Sequence, residues 1–192
     1  MGKIRSQIDD AARHFIEAQH IFFVATAPLH SGGHANLSPK GLDTFRILTP
    51  TTVAYLDFNG SGVETIAHLR EKDNGRIVLM FCAFQGPPNI FRLYGRGHVV
   101  EPHQPEFAKL AEHFPQRANA RSIIVVELTR VTDSCGYGVP LFQYEGEREQ
   151  LAAWACKQGP EGLKAYRSQK NQRSIDGLAG LSIPDVNPKE VV

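Results

Sequence analysis

Lys40, the turn Asn59-Gly-Ser-Gly62 and the pair Glu64-Thr65 are the residues of this chain whose types and spacing can do chemistry. Two short extended segments lead into the glycine-bearing turn, and Glu64-Thr65 open a short helical run, Ile66-Ala-His-Leu69. A turn of that kind points several backbone N–H groups into one concavity, and a helix start adds the positive end of its dipole. Lys40, near the end of Asn36-Leu-Ser-Pro-Lys-Gly41, brings a full positive charge. Together they form a seat for a phosphate. Taken singly each has an ordinary reading as well: Lys40 as a solvated lysine at a strand edge, Gly60 and Gly62 as a loop turn.

The elements that must position these groups follow from periodicity. Ile4, Ile8, Ala11, Ala12, Phe15 and Ile16 recur at helical spacing and predict an amphipathic helix over about 3–18. Strands are predicted at 21–26, at 34–38 (stopped by Pro39), at 44–48 and at 51–57. The continuous apolar run Arg76–Cys82 predicts a strand covered on both sides, and 90–100 a long strand bending or bulging at Gly95 and Gly97. A helix over 105–114, a strand over 122–131, helices over 147–158 and from Pro160 to about 170, and an extended terminal run with Pro184 and Pro188 complete the chain. Six or seven strands with helices at the start, middle and end do not alternate as βαβ units. They predict a mainly β fold, an antiparallel barrel with peripheral helices, rather than a doubly wound parallel sheet.

The composition sets broad limits. The 192 residues suffice for one core, and 42% apolar and 21% charged residues are ordinary for a soluble protein. A net charge of +1 gives no excess for a polyanion, so nucleic acid is not an expected partner. Cys82, Cys135 and Cys156 are odd in number and form no CxxC pair, which favours neither a metal site nor disulfides and fits a reducing cytoplasm. No apolar run reaches the ~18 residues of a membrane span.

The order Asn36-Leu-Ser-Pro-Lys-Gly41, Val53-Ala-Tyr-Leu-Asp57, Gly60-Ser-Gly62, Glu64-Thr65, His68-Leu69, Gly75-Arg-Ile-Val-Leu-Met-Phe81 and Arg92-Leu-Tyr-Gly95 resembles the pyridoxamine 5′-phosphate oxidase-like FMN-binding split-barrel family. The resemblance implies an antiparallel split β-barrel over 1–133, with 134–192 a helical C-terminal extension packed on the same domain. It implies a homodimer holding FMN in clefts shared between subunits. Carried over position by position, Ser38, Pro39 and Lys40 lie along the flavin with Lys40 near the phosphate. Ser61, Gly62, Glu64 and Thr65 form the phosphate cradle, and Arg92 reaches the flavin or phosphate across the dimer. The implied activity is that of an oxidoreductase, passing hydride or electrons between a small organic substrate and NAD(P)H or oxygen. The same cradle equally serves a non-catalytic flavin carrier or redox sensor, or a relative using the deazaflavin F420 or haem.

Two departures stand out. Where many vitamin B6 oxidases of the family place Arg and Lys after the glycine turn, this chain has Gly62-Val-Glu-Thr65, so the Glu64 side chain is expected to turn away, toward a backbone N–H or Arg46. The Arg-Leu-His-x-Arg element that holds pyridoxine phosphate has no match in residues 140–192, which argues against pyridoxamine-phosphate oxidation. No Ser-His-Asp, Cys-His or paired-carboxylate constellation appears, so no acid or base is assigned. His34, at the start of the strand leading into Ser38, is a candidate for the cleft, while His68 reads as packing or surface. His98 and His103 lack partners at metal-ligand spacing. Cys135 reads as an inert loop thiol, Tyr137 and Tyr144 as packing of the extension or as stacking groups in a cleft, Trp154 as core of the tail, and Asp176 as a turn cap.

Overall fold

Asp9 starts the first helix: its carboxylate accepts from the Ala12 N–H at 2.8 Å, so α1 spans Asp10–Glu17 and buries Ala12 and Ile16. The predicted start near residue 3 gives way because Ile4–Arg5 pair with another strand as β1, tied by Arg5 and the Lys3 N–H to Asp133. The structure, a computed structural model, describes residues 2–115 and 119–182; the expected terminal extended run lies outside them. The other strands are β2 (Phe22–Thr26), β3 (Asn36–Lys40), β4 (Phe45–Thr49), β5 (Thr52–Phe58), β6 (Arg76–Cys82), β7 (Ile90–Val100) and β8 (Ala120–Ser134). The other helices are α2 (Glu64–Arg70), α3 (Pro105–Ala111) and α4 (Gln150–Lys170).

All strands pair antiparallel, in the order β3-β2-β6-β7-β8-β5-β4, with β1 added to β8. β3 and β4 are the two ends of this path, and the barrel is split there. The fold is the antiparallel split barrel expected. Pro39 does not stop β3: a proline is tolerated on an edge strand, where one side needs no ladder bond. The predicted helix over 105–114 is shorter, and the break expected before Pro160 falls at Gly159, whose φ of 64° lies in the left-handed region.

Most of the core fills the barrel, with Phe22, Tyr55, Phe81 and Leu93 among its large side chains. A second cluster, including Leu56, Ile123 and Phe114, lies on the other face of β5 and β8 beneath α3. β5 is therefore covered on both faces. β6, expected to be covered on both, is not: Ile77, Leu79 and Phe81 point inward, while Val78 and Met80 stay half-exposed. They join Phe23, Ala25, Tyr94 and the 66%-exposed Leu37 in an apolar outer face of the β3-β2-β6-β7 sheet.

The bulge expected at Gly95 is there, between Tyr94 and Gly95 opposite β8. A Cβ on Gly95 would lie 2.4 Å from the Glu127 carbonyl oxygen, a backbone atom that cannot rotate aside. Gly95→Ala is expected to lower stability by about 1–3 kcal/mol in denaturant titration. Gly138→Ala, where a Cβ would meet nothing within 4 Å, is expected to stay near wild type.

Candidate ligand-binding site

A cleft of about 370 Å³ opens at the split, between the end of β3 and the turn that follows β5. Strand alternation sets what enters it. Ser38 and Lys40 pair with Val24 and Phe22, whose side chains are buried in the barrel, so both point inward; Leu37 and Pro39 point outward. On β5, Val53, Tyr55 and Asp57 share the inward face by the same parity. Lys40 and Asp57 thus meet across the split, where no backbone ladder joins their strands.

They meet as an ion pair. Lys40 Nζ donates to Asp57 Oδ1 at 2.7 Å and Arg121 Nε to Asp57 Oδ2 at 2.8 Å, with the Asp57 side chain fully buried. Arg121 comes from a second bulge: Asp57 faces Ser122 and Phe58 faces Ala120, leaving Arg121 as the extra residue, turned toward Asp57. Burial alone pushes the Asp57 carboxyl up, but the Arg121 guanidinium and the Lys40 ammonium override it and hold its pKa at about 2. The full positive charge expected of Lys40 is present, but it is shared: two cations flank one buried anion, a unit of net charge +1 beside the cleft.

Arg121 also orients the glycine turn. Its Nη1 donates to the Gly62 carbonyl at 2.8 Å and the Gly60 carbonyl at 3.3 Å, and Asn171 Nδ2 donates to Gly60 at 2.9 Å. A trans peptide sets its N–H opposite its C=O. With these carbonyls turned to Arg121 and Asn171, the N–H groups of Ser61 and Val63 face the other way. A Cβ on Gly60 would meet nothing within 4 Å, so there is open space beside that residue.

Ser38, Pro39, Lys40, Gly62, Glu64 and Thr65 all line this one cleft. The Thr65 hydroxyl is engaged, accepting from Asn36 Nδ2 at 3.0 Å. Glu64 turns to a backbone N–H, that of Ile175 at 3.3 Å, and not to Arg46, which binds Asp43 and the His113 carbonyl. Its carboxylate folds over Gly62, 2.3 Å from where a Cβ would stand. Ser61 is exposed on the turn and is not among the lining residues. Arg92 lies elsewhere, on the outer sheet face beside Met80 and Thr132, donating to Ser134 Oγ at 3.0 Å.

The segment after α4 braces the site from behind. Asn171 is fully buried, Asp176 accepts from the His34 N–H at 2.8 Å and contacts its ring Nδ1 at 2.6 Å, and Arg70 binds the Gly180 carbonyl and Ser182. Asp176 is thus a tether to the β2–β3 turn more than a turn cap, and His34 stands outside the cleft lining. His68 is buried, its Nδ1 2.9 Å from Thr26 Oγ1, a packing role. Tyr144 stacks on His20 and Trp154 packs edge-on against Tyr166, while Tyr137 is 83% exposed and Cys135 exposed.

Asp57, Arg121 and Asn171 are site residues that motif reading missed. An aspartate closing the apolar strand TTVAYLD and an arginine opening the apolar run after Ala120 were the available signals. Asp57→Asn, which leaves two cations without their buried anion, is expected to cost about 3–5 kcal/mol in denaturant titration. Because Asp57 is held near 2, below its ordinary 3.8, its contribution is fully present above pH 3.8. That contribution is expected to be lost as pH falls from 3.8 toward 2, seen as a steeper acid-unfolding limb in wild type than in Asp57→Asn.

Residues 8–135 match the sequence profile of the family described as Pyridoxamine 5′-phosphate oxidase. The pyridoxamine 5′-phosphate oxidase family protein ustO of Aspergillus flavus is 38% identical over 193 residues, covering 91% of this chain and 76% of that protein. Among solved structures, HupZ of Group A Streptococcus has a TM-score of 0.51 at 20% identity, covering 70% of this chain and 99% of its own. A candidate pyridoxamine 5′-phosphate oxidase of Lactobacillus delbrueckii has a TM-score of 0.50 at 12% identity, covering 66% and 94%. These two likenesses bear on the fold alone. The profile match over most of the chain and the fungal relative settle the lineage: this chain belongs to the pyridoxamine 5′-phosphate oxidase family.

Proposed function

We propose that the protein is a homodimeric flavoprotein that holds FMN in the cleft at the barrel split and acts as an oxidoreductase on a small organic substrate. One observation carries the reading: Arg121 and Asn171 hold the carbonyls of the glycine turn inward, so that amides face outward beside a +1 cluster. That is an anion seat built from backbone donors, with little need for the basic side chains that the turn lacks. The residues fit a flavin phosphate by donor chemistry and by the open space at Gly60, with Glu64 the one misfit.

In this reading Ser38, Pro39 and Lys40 lie along the ligand, and Ser61, Gly62 and Thr65 gather at its phosphate. Bound flavin would supply hydride or electron transfer between the substrate and NAD(P)H or oxygen. The chain's own residues would position it and keep water from one face. The apolar outer face of β2, β3, β6 and β7 supports the dimer, because a strand run as apolar as Arg76–Cys82 is ordinarily covered on both sides. Arg92 stands on that same face, so its reach toward a flavin would be into the other subunit's cleft. A cytoplasmic setting goes with three free cysteines.

Protein purified under native conditions is expected to carry an oxidised-flavin absorption spectrum; a Soret band or a deazaflavin spectrum in its place overturns the assignment. Lys40→Ala is expected to weaken FMN binding by more than about 1 kcal/mol, and Thr65→Val by less, in flavin fluorescence titration. Light scattering is expected to give a dimer, and a monomer that still binds FMN stoichiometrically contradicts the shared cleft.

A further inference from the structure

The cradle contains a carboxylate that a phosphate-binding site does not call for. Glu64 lines the cleft, folds over Gly62 and accepts from the Ile175 N–H, and it makes no ion pair among the described residues. The lack of a Cβ at Gly62 is what lets the carboxylate lie there, 2.3 Å from the position that atom would take. The Ile175 N–H belongs to the segment that Asp176 ties to His34 and Arg70 ties at Gly180 and Ser182, so the donor to Glu64 is fixed from outside the barrel. With Lys40 and Arg121 set against Asp57 and Glu64, two cations face two carboxylates, and the seat as a whole carries no net charge.

We infer that Glu64 is a specificity-determining residue that lowers the site's tolerance for a doubly charged phosphate and so sets its preference among flavins by the charge of their end group. The inference rests on the flavin reading above. Riboflavin, with no phosphate, feels no such repulsion. FAD, whose two phosphates are joined as a pyrophosphate with one negative charge on each, meets less charge per phosphorus than FMN, whose terminal phosphate carries about −1.5 to −2 near neutral pH. Repulsion between like charges in a half-buried cleft is large enough to order these ligands.

The test is the affinity of wild type and Glu64→Gln for riboflavin, FAD and FMN, measured by fluorescence titration at fixed ionic strength. Gln keeps an oxygen to accept from Ile175, so the brace should survive; equal melting temperatures check this. The expected result is that Glu64→Gln tightens FMN on the order of tenfold, FAD by less, and riboflavin not at all. Raising the salt should shrink the FMN gain, as screening requires. Equal tightening of all three flavins overturns the inference by making the effect steric, and so does an unchanged FMN affinity. If neither form binds any flavin, the flavin reading itself falls and this inference falls with it, an outcome distinct from flavin binding that ignores residue 64.

Discussion

The contact on which the rest of the structure depends is the buried carboxylate of Asp57, held between Lys40 and Arg121. It lies at the split between the two ends of the path of paired strands, where the end of β3 meets the end of β5 beyond β4. An ion pair in such a place does little for net stability, because removing charges from water costs nearly what their attraction returns. What it does is make three strands answer to one another. A slip of one residue in β3 would turn Lys40 outward, and loss of the bulge in β8 would turn Arg121 to the opposite face. Either would strand a buried charge, so the register of the site follows from the penalty for breaking the pair.

From that anchor the glycine turn takes its orientation. The guanidinium that binds Asp57 also binds two turn carbonyls, so the anion that organises the cations indirectly organises the amides. Asn171 adds a second hold on the Gly60 carbonyl from a segment more than a hundred residues away. The C-terminal segment is therefore part of the site's construction, and the close approach of Gly180, where a Cβ would fall 2.2 Å from the Asn171 carbonyl oxygen, shows how tightly it is laid down. Glu64 fits the same scheme: its position is set by an N–H from that segment, and its carboxylate opposes the charge that the Asp57 cluster leaves over.

Family likeness and local chemistry pull in different directions here, and both are informative. The profile match and the split barrel give the frame in which Ser38, Lys40, Gly62 and Thr65 share a cleft. The charges within the cleft belong to this chain. A lysine that would be a free ammonium in a simple phosphate site is here half of a buried pair, and the turn lacks the basic side chains that would compensate. A site made this way leans on oriented peptide dipoles, which are fixed in place and need no side-chain ordering when a ligand arrives.

Amino-acid order alone determined most of the elements and their type: β6 and β7 fall at the ends that their apolar runs predict, the Gly95 bulge is where the glycine stands, and Pro160 opens the second half of α4, while β1 is hidden in a helical pattern. These are local matters, governed by side-chain periodicity and by the backbone freedom of glycine and proline. The association of Lys40 with the glycine turn rests on the resemblance of the ordered set of motifs, because on spacing alone a strand-edge lysine reads as solvated. Folding decided the electrostatics. Whether Lys40 is free or paired depends on which carboxylate a distant strand brings within 3 Å, and the pairing with Asp57 exists only because two strands present the same face across a split. Arg121 enters through a bulge that no run of residues announces, and Glu64 is aimed by an amide 111 positions away. Long-range Coulomb contacts depend on register and separation in space, and those become definite only when the sheet has closed as far as it will.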